Sequence, residues 1–183
     1  MIKVFIHRKE RRGDKKKKAV LLLMCILLLL ISACSYSDPV IGSLPAYKSE
    51  SFYTSGGFQD STDYAKYTYP SIRTEELKFS DYFRIVTADD VEEILLHIDN
   101  FEEWVAIIGG ELGENYDFDK SIVSEGDFFY IKTKAGEPCG QAIYRKFDNY
   151  TVYYFDVDAL ILYYFHNNIW FSNLTFCFQY LHR

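Results

Sequence analysis

Cysteine and histidine are scarce, four of each in 183 residues. No Cys-x-x-Cys or His-x-x-x-His pair occurs, so a zinc site of either common spacing is not expected. Gly-x-Ser-x-Gly is absent, as is a Ser-x-x-Lys with supporting motifs, which removes two groups of serine hydrolases. Beyond residue 34 no cluster of Lys and Arg exists, and phosphate binding needs one; nucleic acid is therefore not an expected partner. Gly109-Gly110-Glu111-Leu112-Gly113 follows a helical pattern and does not lie between a strand and a helix, so it is no nucleotide loop. Asn115 to Ser121 alternates oxygen-bearing side chains like the start of a calcium loop. Ile122 and Phe128, however, stand where such a loop needs glycine and glutamate. No cofactor and no metal are expected, and no internal repeat is present.

Aromatics are abundant. Sixteen Tyr and 15 Phe help raise the aromatic share to 18% within an ordinary apolar share of 49%. Rings of this kind favour a pleated, half-buried surface, which inclines the fold toward sheet. The net charge of −6 conceals a division. Nine of the 20 basic residues precede Cys34, with only Glu10 and Asp14 against them. From Cys34 onward 11 basic residues face 24 acidic ones, a net of −13. A solvated surface is one reading of this acidity, and attraction to cations or basic peptides is the other.

The basic residues end in the run Lys15-Lys16-Lys17-Lys18, and an unbroken apolar stretch follows from Ala19 to Ile31. Thirteen residues suit the apolar region of a signal peptide and are few for a membrane span. The stretch leads into Ile31-Ser32-Ala33-Cys34, which resembles a bacterial lipobox: a branched aliphatic, two small residues and a cysteine. The resemblance implies cleavage between Ala33 and Cys34 and a diacylglyceryl group on the Cys34 thiol. It implies a cell-membrane protein, lipid-anchored on the outer, extracytoplasmic face. The 18 residues before the apolar run are longer than the pattern usually has, and an uncleaved signal anchor is the other reading. Two acyl chains hold a bilayer stably where one is marginal.

The expected organisation is a signal peptide over 1–33, a flexible tether over 34–51 and an α+β domain over 52–183. A tether of that length would hold the domain roughly 20–25 Å from its anchor on average. The segment Phe52 to Tyr69 is too rich in rings for a linker, so part of it is expected to pack on the domain. Thr87-Ala88-Asp89-Asp90 reads as a helix start. Val91, Ile94, Leu95, Ile98, Phe101, Val105 and Ile108 follow at helical spacing, with a kink possible at Asp99-Asn100. Gly109-Gly110 ends the run. Strands are expected over Asp117 to Val123, Phe128 to Lys134, Tyr150 to Asp156, Leu160 to His166 and Leu174 to Tyr180. Leu160 to Phe165 is apolar on both faces and should be central. Its second face needs a cover, either the aromatic segment before Tyr69 or a partner. The fold expected is α+β: one long or kinked helix packed on an antiparallel β-sheet of four to six strands.

Candidate chemistry is sparse. Cys139 and Cys177 are expected to stay unpaired. His166 ends a strand, where sites often lie, although turn hydrogen bonds alone can account for a histidine there. Phe58, Tyr64, Tyr67 and Tyr69 are candidate contact residues, because Tyr offers large amphipathic area at little entropic cost; core packing is the competing role. The leading reading is a surface-anchored, non-catalytic binding or interaction module with a protein or envelope glycan as ligand. The other is a cell-envelope hydrolase using Asp or Glu with His166.

Overall fold

The computed structural model describes residues 38–56, 60–139 and 142–169. Expectations for Ala33, Cys34, Phe58, Cys177 and the strand Leu174 to Tyr180 fall outside the described residues. The chain divides into two compact units, Met1–Gly42 and Ser43–Arg183. In the first, the described residues form one short helix, α1 (Pro39–Gly42). Asp38 caps it, Oδ1 accepting from the amides of Val40 at 2.8 Å and Ile41 at 3.2 Å.

The second unit opens with a hairpin, β1 (Ser49–Gly56) and β2 (Ser61–Thr68). There follow α2 (Thr74–Lys78), β3 (Arg84–Ile85), α3 (Ala88–Ile108) and α4 (Gly110–Asn115). A 3-10 turn (Lys120–Ile122) leads to β4 (Phe128–Thr133) and a minimal hairpin, β5 (Pro138–Cys139) and β6 (Ala142–Ile143). Strands β7 (Asn149–Asp156) and β8 (Ile161–Asn168) complete the described chain. Six strands form one antiparallel sheet in the order β1-β2-β8-β7-β4-β3. The fold is α+β, a 21-residue helix against a six-stranded sheet.

Helix α3 runs without a break through Asp99-Asn100. Thr87 and Asp90 close its start reciprocally, the Asp90 carboxylate accepting from the Thr87 amide at 3.0 Å. Gly109, with φ of +62°, ends it, a conformation that glycine adopts without strain. Ile94, Ile98, Phe101 and Val105 lie at i, i+4, i+7 and i+11 and form one buried stripe. The sheet answers with Tyr64, Phe129, Tyr150, Val152, Tyr154 and Phe165. Phe101 and Phe165 meet edge to face at 5.4 Å. Each such side chain contributes about 1.5–3 kcal/mol when fully buried, so this interface is the main source of stability.

The central place of β8 follows the expectation from its apolar run. Strand β7 beside it is the more completely buried, with every residue from Asn149 to Phe155 inside. Three expectations need correction. The sheet begins at Ser49, and the Lys48 amide already bonds the Thr68 carbonyl at 2.7 Å, so residues 49–51 belong to a strand and not to a tether. The aromatic segment Phe52 to Tyr69 does not lie over the sheet; it supplies two of its strands. Asp117 to Val123 is not a strand. The Asp119 carboxylate accepts from the Ser121 amide at 2.9 Å and folds the backbone into a 3-10 turn, a local bond that competes with a ladder.

Candidate functional site

The helix covers one face of the sheet. Alternation along the strands assigns the opposite face, and cross-strand register aligns its residues in rows. One row reads Thr54, Asp63, His166, Thr151 and Lys132, passing from β1 through β2, β8 and β7 to β4. The neighbouring row reads Phe52, Ala65, Tyr164, Tyr153 and Tyr130. Ala65, Thr151 and Tyr153 in the middle of these rows are buried, so the groups that reach solvent are Phe52, Thr54 and Lys132, with Asp63, Tyr130, Tyr164 and His166 half-buried. Rings beside polar groups are what a binding surface uses, rings for area and polar groups for orientation.

His166 is the one sequence candidate that lies in this polar row. Its Nδ1 lies 2.9 Å from the Thr151 hydroxyl and 3.1 Å from the Tyr150 carbonyl. A carbonyl only accepts, so Nδ1 carries the proton and donates, and in the neutral ring Nε2 is the acceptor. Asp63 stands directly across from His166 on β2. Its Oδ1 accepts from the Thr54 hydroxyl on β1 at 2.5 Å. The rings of the second row continue from Tyr82 on Tyr130 at 5.5 Å to Tyr130 stacked on Tyr153 at 5.8 Å. Tyr164 follows at 5.4 Å from Tyr153, and His166 stacks on Tyr164 at 6.2 Å.

Tyr64, Tyr67 and Tyr69, read from sequence as contact residues, are all buried, so the core-packing role is the one the structure gives them. Tyr64 faces α3, and its hydroxyl donates to Asp117 at 2.9 Å. Burial first, then the bonded carboxylate, pushes its phenol well above the ordinary value. Tyr67 and Tyr69 both take the edge of Tyr47, at 5.0 and 6.5 Å. Strand alternation could have shown that Tyr64 and Tyr67 point to opposite faces; it could not show that both faces are covered there.

Sequence reasoning missed a second polar cluster. Asp127 is buried at the start of β4. One carboxylate oxygen accepts from the hydroxyls of Tyr154 and Ser124, and the other accepts from the Val157 amide at 3.0 Å. These bonds join the turn before β4 to the end of β7, a structural role. The carboxylates that suggested a calcium loop are also engaged. Burial, the largest single effect, raises the Asp117 pKa, but the bonds from Lys66 and Tyr64 and the Lys66 charge together outweigh it and hold the carboxyl below the usual range. Among the described residues, no group of three or more His, Cys, Asp or Glu is placed to hold a metal ion. Cys139 is a free thiol. An open groove of about 480 Å³ lies where α3 gives way to α4, lined by Val105, Ala106, Tyr116 and three glycines together with Glu102 and Glu114. Glu102 is occupied there, accepting from Tyr116 at 3.0 Å and pairing with Lys120 at 2.7 Å.

The chain matches no family model, no curated protein and no solved structure. Its class is therefore the one its own geometry defines, an α+β body with a 21-residue helix against a six-stranded antiparallel sheet.

Proposed function

We propose that this chain is a lipid-anchored extracytoplasmic binding module without catalytic activity, held to the outer face of a cell membrane through Cys34. The anchor rests on the basic run to Lys18, the apolar stretch Ala19 to Ile31 and the Ile31-Ser32-Ala33-Cys34 lipobox pattern. The observation that carries the binding role is the disposition of Asp63 and His166. Oδ1 of the carboxylate accepts from Thr54 and Nδ1 of the ring bonds the β7 backbone, which supports reading the two as parts of a fixed polar surface. The ligand class is a protein segment or envelope glycan that suits rings flanked by polar groups. An acidic body is repelled by anionic headgroups within a Debye length of about 8 Å, which leaves this surface directed to other partners.

A second reading keeps one observation in its favour: Asp63 and His166 are direct cross-strand partners. A cell-envelope hydrolase would use the two together. Fatty-acid labelling in cells tests the anchor, with label expected on the parent and lost in Cys34→Ala; persistent label in the variant overturns it. Pull-down from envelope fractions tests the binding role. Hydrolysis of those fractions that vanishes in His166→Ala would replace it with the hydrolase reading.

A further inference from the structure

We propose that the outer edge of β1 is a docking strand for an extended, basic peptide segment, which joins the sheet as an added strand. The proposal rests on the reading of the chain as a binding module and is independent of the lipid anchor.

Alternate residues of an edge strand direct backbone N–H and C=O groups away from their partner strand, a template for another chain. Folded proteins blunt such edges with short strands, lysine, proline, bulges or a cover. Strand β3 at the far edge is blunted in this way, being two residues long and carrying Arg84. Strand β1 is not. It spans eight residues, Ser-Glu-Ser-Phe-Tyr-Thr-Ser-Gly, in unbroken register with β2, with no proline, no lysine and no bulge. Among the described residues it pairs with β2 alone. Phe52 at its centre is 49% exposed, a large ring placed where a cross-strand neighbour would meet it.

Charge selects the occupant. Glu50 lies on the strand, Asp63 on the partner strand, and Glu111 and Glu114 on α4, which packs beside β1. Of the nearby cations, Lys66 is bound to Asp117, and Lys48 stands before the strand begins. A second copy of the chain would bring this acidic set against its own duplicate. An incoming strand with lysine or arginine at alternate positions meets complementary charge, and an aliphatic or aromatic residue between them covers Phe52.

The test uses the full chain in non-ionic micelles and a blocked peptide alternating lysine and valine. Two relatives serve as controls, one with alternate backbone nitrogens methylated and one with glutamate for lysine. Expected is binding about ten-fold tighter for the parent peptide than for either control, with slowed hydrogen exchange at alternate amides of residues 49–56. Phe52→Ala should weaken the parent peptide several-fold and leave the melt unchanged. Equal binding by the methylated peptide reduces the effect to charge alone and overturns the proposal. So does protection, without any peptide, of the outward-facing β1 amides that β2 does not bond. A dimeric mass would then identify a second copy as the occupant, and release of protection on truncation after Ile169 would identify the chain's own residues 170–183. None of these results bears on the wider binding role, which fails if envelope fractions yield no partner or if their hydrolysis vanishes in His166→Ala.

Discussion

The Tyr154 hydroxyl, near the end of β7, donates to the Asp127 carboxylate across 27 residues of sequence, in a site closed to solvent. The phenol has a single proton, and the charged carboxylate takes it; burial and that carboxylate together raise the phenol's pKa well above its ordinary value. Tyr154→Phe removes one of the bonds that neutralise a buried charge. The expected loss is about 1.5–3 kcal/mol, read as a lower urea midpoint with unchanged slope. An unchanged midpoint would mean that the carboxylate is satisfied by Ser124 and Val157 alone.

Tyr69 presents the opposite case. Its hydroxyl is buried with no hydrogen-bond partner, the only such side-chain atom among the described residues, and its ring packs on Phe155 at 5.6 Å. Tyr69→Phe keeps the ring and removes the unsatisfied group. It should stabilise the fold by about 1 kcal/mol, which a calorimetric melt detects as a rise of about 4 °C. A lower melting temperature would show that the hydroxyl has a partner after all.

His97 is buried on the inner side of α3, Nδ1 against the Glu93 carbonyl at 2.8 Å and its ring edge-on to Phe147 and Tyr150. Burial lowers its pKa below the ordinary 6.5; Lys146 adds to this, while the Glu93 carbonyl and carboxylate oppose it. With a lowered value in the folded state, the unfolded chain takes up the proton first as pH falls. Stability is therefore full above pH 6.5 and declines from there toward the lower folded value, by at most about 1.4 kcal/mol per pH unit. In His97→Gln the decline between pH 7 and 5 should be shallower, whatever the absolute cost of the substitution. Equal slopes in parent and variant would remove His97 as the cause.

Helix α3 was legible because its signals are local. The Thr87 cap and the spacing of Ile94, Ile98, Phe101 and Val105 all fall within a few turns. The central position of β8 was legible from its composition. The hairpin β1-β2 was only half legible: its rings marked residues 52–69 as part of the body, but residues 49–51 read as tether, and only the pairing of β2 with β8, about 100 residues on, makes β1 the edge of a sheet. Asp127 escaped notice because its partners Tyr154 and Val157 lie 27 and 30 residues on. His166 could be assigned to a strand, but Thr151 and Asp63 are brought to it by register, which no local pattern records.

The boundary of the folded body yields the last prediction. Leu44 is buried, Tyr47 packs on Tyr67 and Tyr69, and Tyr53 stacks on Tyr64 at 6.5 Å, so residues 43–56 contribute side chains to both faces of the sheet's β1 end. A chain beginning at Ser43 keeps all of these and should melt cooperatively. A chain beginning at Asp60 loses them and leaves β2 as a bare edge with Ala65 and Tyr67 uncovered on one side. Full burial of such side chains is worth about 1.5–3 kcal/mol each, and Tyr47 and Tyr53 are partly exposed, so the three together amount to about 3–5 kcal/mol. That is a large share of the 5–15 kcal/mol typical of a domain. The shorter chain should therefore melt about ten degrees lower or more, or lose its cooperative transition. Equal melts for the two chains would mean that β1 adds nothing to the body's stability. Its unbroken eight-residue edge would then have to be explained by what binds there.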